Sequence, residues 1–82
     1  MNRESADSVV GEVKKVLAQI CAIDLSAVRE EGKLIEHGLD SLRAMDLVIA
    51  LEERYGVGFS ETDMARLKTV GDVAAFIEEG LR

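Results

Sequence analysis

Three residues able to take part in chemistry, His37, Asp40 and Ser41, fall within five positions of one another. A histidine, a carboxylate and a hydroxyl are the groups of a hydrolytic triad, but a triad is defined by spatial geometry on a scaffold, not by closeness in sequence. No Gly-x-Ser-x-Gly elbow is present, and no strand pattern precedes the serine. The alternative chemistry is that of an anion held at a helix start. Ser41 stands where a glycine-containing loop hands over to an amphipathic segment. There, unpaired backbone N–H groups and the positive end of the helix dipole favour an attached phosphate. Asp40 is placed to cap that helix, which leaves the Ser41 hydroxyl at the first helical position, facing solvent. Two further capping patterns, Ser60 with Asp63 and Thr69 with Asp72, have an acid three residues on, whereas Ser41 is followed by Ala44.

Other reactive groups are scarce. The single cysteine, Cys21, cannot form an internal disulfide, and with one histidine there is no metal cluster to assemble. Near the end of the first helix, Cys21 reads as a small buried hydrophobe. The sequence assigns neither a catalytic nor a metal-binding residue.

The elements that must position the serine follow from apolar spacing. Val9, Val13, Val16, Leu17 and Ile20 share one face of a first helix expected from about Ser5 or Asp7 to Ala22. Gly11 lowers its stability by about 1 kcal/mol relative to alanine. Periodicity breaks between residues 23 and 39, where Ile23, Leu25, Val28, Leu34 and Ile35 are expected to pin a long connection across the molecule, with a short turn near Ser26–Glu30. The second helix is expected from about Ser41 to Tyr55, with Gly56 as a left-handed cap. Leu42, Met45, Val48, Ile49 and Leu51 spread over more than half its circumference, so some must face solvent. A short third helix follows Ser60 and ends near Leu67. A fourth runs from Thr69 to about Gly80, burying Val70, Val73, Phe76 and Ile77. The fold class is all-α, a small antiparallel bundle of three main helices and one short one with a long first connection.

The 82 residues make one domain, 1–82, with residues 1–4 expected to be disordered. Hydrophobic residues are 48% of the chain but only Phe59, Phe76 and Tyr55 are aromatic, so aliphatic side chains must build the core. Sixteen acids against ten bases give a net charge of −6, which repels nucleic acid and anionic lipid and attracts basic protein partners. No apolar run reaches membrane-spanning length and no signal-peptide core follows Met1, so a cytoplasmic monomer is expected.

The stretch Glu36-His37-Gly38-Leu39-Asp40-Ser41-Leu42-Arg43-Ala44-Met45-Asp46-Leu47 resembles the 4′-phosphopantetheine attachment motif of acyl carrier proteins. The resemblance continues through Leu51-Glu52-Glu53-Arg54-Tyr55, Phe59, Leu67-Lys68-Thr69-Val70 and Phe76-Ile77, with the recognisable motif region at 34–77. It implies that a phosphopantetheinyl transferase moves the arm from coenzyme A to Ser41, with Asp40 helping to place a magnesium ion. It implies that the chain is a carrier and not an enzyme, bringing acyl thioesters to loading, condensing and modifying enzymes of fatty-acid, polyketide or related biosynthesis. It implies a docking surface at Glu36, Leu42, Asp46, Ile49, Glu52 and Glu53, and an acyl slot lined by Met45, Ile49, Leu67, Val70 and Ala74. His37 and Arg43 depart from the pattern, since relatives commonly carry an apolar residue at the first position and many fatty-acid carriers an acid at the second. A carrier of activated amino acids and an unmodified helical adaptor are the alternatives.

Overall fold

The computed structural model describes residues 8–82 and is all-helical, with α1 at Val9–Cys21, α2 at Ser41–Tyr55, α3 at Glu61–Arg66 and α4 at Val70–Gly80. The expectations for residues 1–4, and for a helix start at Ser5 or Asp7, lie outside the described residues. The first helix instead takes Ser8 as its cap, whose hydroxyl accepts the Gly11 N–H at 3.0 Å. Gly11 therefore sits in the first turn, where its cost is smaller than in a helix interior. The C-terminal cap is Ala22, a non-glycine residue in the left-handed region at φ 56°, closed by its N–H onto the Ala18 and Gln19 carbonyls.

α1 packs along both α2 and α4. Val13, Val16, Leu17 and Ala18 of α1 meet Leu47 and Leu51 of α2 and Val70, Val73, Ala74 and Ile77 of α4 in one core. Phe76, expected on the buried face, is half-buried and stacks on Phe59 with ring centroids 4.9 Å apart. α3 contributes no buried residue and is held by a complete Ser60–Asp63 capping box. Thr69 and Asp72 form the second complete box, at the start of α4. Gly56 caps α2 at φ 72°. Across the α1–α2 interface, the Arg54 guanidinium reaches the Glu12 carboxylate at 2.9 Å.

The long connection is pinned as expected, by Val28 and Leu34, with two short 3₁₀ turns at Leu25–Ala27 and Ile35–His37. Its backbone is also tied to the start of α4. The Val70 N–H donates to Gly32 O, the Gly71 N–H to Glu30 O and the Leu34 N–H to Lys68 O. Two orphan donors of α4 are thereby satisfied by a segment some forty residues earlier in the chain. Leu25 and Ile35 are not anchors: they are 45% and 75% exposed. In a tight turn neighbouring side chains diverge by about a third of a circle, so with Leu34 inside, Ile35 is turned outward.

Candidate functional site

The site is built at the junction between the connection and α2. Gly38 ends the second 3₁₀ turn at φ 97°, a conformation open to glycine, and re-aims the chain into the extended cap residue Asp40. Asp40 Oδ1 accepts the Arg43 N–H at 2.9 Å, and its Oδ2 pairs with the Arg43 guanidinium at 2.9 Å. The Arg43 backbone N–H holds the Asp40 carboxyl below its ordinary range; desolvation opposes this, and the Arg43 charge and guanidinium hydrogen bond add to it.

Because Asp40 does the capping, the hydroxyl of Ser41 is left unspent. Ser41 is the first residue of the 15-residue α2, it is exposed, and its side chain engages in no hydrogen bond among the described residues. The hydroxyls of Ser8, Ser60 and Thr69 are all consumed as caps. Two open grooves meet at Ser41. One, of about 460 Å³, runs between α2 and the α3 region over Met45, Val48, Ile49, Phe59 and Met64. The other, of about 880 Å³, runs between the connection and α3 over Leu34, Leu39, Ala44, Met64 and Leu67, with Lys33 and Lys68 also in its lining.

The residues named for an acyl slot are not gathered around one cavity in this structure. Met45 and Ile49 line the smaller groove and Leu67 the larger, while Val70 and Ala74 are fully buried in the core behind them. Of the docking residues, Leu42 and Ile49 are 79% and 50% exposed, and Glu36, Asp46 and Glu53 are exposed. Glu52 is partly committed, since its carboxylate accepts the Phe59 N–H at 2.9 Å and secures the loop after α2. Phe59, Met64, Lys33 and Lys68 belong to the site's walls and were not singled out as site residues from the sequence. The apolar pair flanking the Ser60 capping box was the available signal.

His37 is a structural clip. Its Nδ1–H donates to the Lys33 carbonyl at 2.8 Å and its Nε2 accepts the Arg29 N–H at 3.4 Å, folding the connection around the ring. Cys21, expected to be buried, is half-buried against the core, and that burial pushes its thiol up. The Arg43 charge acts on the thiol in the opposite sense and that of Asp40 in the same sense as burial.

An unspent hydroxyl at a capped helix start, opening onto two grooves, leaves room for a covalently attached anionic group. Residues 11–77 match the phosphopantetheine attachment site family, and the chain belongs to that family. The chain is 37% identical over 78 residues to an acyl carrier protein of Thermotoga maritima, covering 94% of this chain and 96% of that one. It is 38% identical over 72 residues to one from Campylobacter lari, with 87% and 94% covered. It is 40% identical over 68 residues to one from Campylobacter jejuni subsp. doylei, with 82% and 88% covered. The cofactor of the family is phosphopantetheine, and the exposed Ser41 with its free hydroxyl fits that group.

Proposed function

We propose that this chain is an acyl carrier protein, with the phosphopantetheine arm on Ser41, moving acyl groups between enzymes of fatty-acid, polyketide or related biosynthesis. The observation that carries the reading is the free, solvent-facing hydroxyl of Ser41 at the meeting of two grooves. The relatives named acyl carrier protein, matched over 96% and 94% of their length, support it. When bound, the arm supplies a thiol that holds acyl groups as thioesters. The chain's own part is placement. The helix start would balance the phosphodiester charge, and Asp40, beside Ser41, is the carboxylate that would help hold a divalent cation, which would offset the phosphate charge. The grooves offer an apolar cargo a drive of about 0.8 kcal/mol per buried methylene. Met45 and Ile49 in the smaller groove and Leu67 in the larger are the residues such a cargo would meet, whereas Val70 and Ala74, buried in α4, would line its path only after the helices part. Leu42, Ile49, Glu36, Asp46 and Glu53 form a surface for basic partners, with Glu52 at its edge. Catalysis belongs to those partners.

The test is intact mass after incubation with coenzyme A and a phosphopantetheinyl transferase. Wild-type protein gains one phosphopantetheine. Ser41→Ala gains none and keeps its helical circular dichroism, because the hydroxyl it loses bonds to nothing and the stability change stays within about 0.5 kcal/mol. Modification of Ser41→Ala, or none of the wild type, overturns the reading.

A further inference from the structure

The ion pair at the start of α2 joins the Arg43 guanidinium to the Asp40 carboxylate at 2.9 Å. Asp40 is already secured as the cap by the Arg43 backbone N–H, so the guanidinium is not needed for that role. One of the five guanidinium donors, on Nη1, reaches Asp40, and no other hydrogen bond of this side chain is formed among the described residues. The arginine side chain is 48% exposed and the aspartate side chain 58%, and a pair so open to water is weak and easily exchanged. Modification of Ser41 would set a phosphodiester anion on the residue next to the Asp40 carboxylate. Two anions on adjacent residues repel, and Arg43 is the cation already in contact with one of them.

We propose that Arg43 is a positioning residue for the base of the arm: paired with Asp40 before modification, it extends its free donors to the phosphodiester on Ser41 afterwards. The inference rests on the carrier reading above. Arginine suits the task because its planar fork can serve a carboxylate and a phosphate together, which the point charge of lysine cannot do with defined geometry. The departure at position 43 then has a local cause. It supplies in the chain itself a counter-charge to the phosphate.

Protein labelled with ¹⁵N-arginine is compared before and after modification, with intact mass confirming loading. Holo protein should show exchange of the Arg43 Nε–H with water slowed several-fold relative to the apo form. Its ³¹P signal should differ between wild type and Arg43→Gln, with Arg43→Lys restoring the signal only in part, and added salt should shrink the difference. A purely capping arginine would leave the ³¹P signal unmoved. Unchanged Nε–H exchange on loading overturns the proposal, as does a ³¹P signal common to wild type and Arg43→Gln. If Arg43→Gln resists loading, the wild-type apo and holo comparison decides alone. Absence of any mass gain in wild type is a different result, which overturns the carrier reading and this inference with it.

Discussion

At Gly32 the backbone passes directly under the His37 ring, and a Cβ added there would lie 2.5 Å from Cε1 and 3.1 Å from Nε2. The glycine and the histidine are therefore one device, which explains why a polar ring occupies a position that sequence resemblance assigns to an apolar residue. Gly32→Ala should destabilise the protein by about 1–3 kcal/mol through overpacking. His37→Ala removes the ring, so the double variant should be less destabilised than the sum of the singles. Urea denaturation of the four proteins measures the coupling, and strict additivity would rule out the shared device. The same scale explains Ser41. The sequence pattern of caps separated it from Ser60 and Thr69, and the structure shows the reason in the spent and unspent hydroxyls.

Among the elements, α1 ends on a residue poorly suited to its left-handed conformation, Ala22. A left-handed alanine costs about 1–2 kcal/mol, partly offset in a glycine variant by the greater freedom of its unfolded chain. Ala22→Gly should raise stability by about 1 kcal/mol, read as a higher urea midpoint with an unchanged slope. A fall in midpoint would show that the strain is not released. The helix α2 makes a second prediction. If its acids steer partners, Asp46→Lys should slow association with a transferase more than Glu78→Lys on α4, and salt should narrow the gap. Equal rates would return Asp46 to a merely solvated face. Glu12 would be a poor reference for that comparison because it pairs with Arg54. The capping boxes, the Gly56 cap and the bounds of α2 and α4 were legible because each has a local chemical signature. The Ala22 cap was not, since alanine marks no turn, and the outward Ile35 was not, since periodicity fails inside a tight turn. The two grooves were hidden for another reason: they depend on where α3 lies against α2 and the connection, which no local spacing encodes.

For the whole molecule, charge sets a response to acid. Asp40, Asp63 and Asp72 have carboxyls held below the ordinary range, in each case first by backbone N–H groups at a helix start. Their folded values lie below the unfolded ones, so they stabilise the fold above about pH 3.9 and that contribution is lost as pH falls through the depressed values. The net charge of −6 acts oppositely near neutrality, where partial protonation relieves self-repulsion. Stability should therefore rise gently from pH 7 toward the isoelectric point near 4.7 and fall below about pH 4. Urea midpoints across that range test this. Asp72→Asn should flatten the acid limb, and an unaltered limb would remove the caps as its cause.

The six-residue α3 gives the molecule a hierarchy of opening. None of its residues is fully buried, while the residues that seal the core all lie in α1, α2, α4 and the connection. Detaching α3 thus costs far less than global unfolding, and its amides should be among the first of the helical ones to exchange with deuterium. Met64 lines both grooves at Ser41, so that local opening merges two shallow troughs into one continuous space. For an acyl cargo seated in these grooves, the length that fits would then depend on the opening equilibrium of the weakest helix and not on the closed form alone.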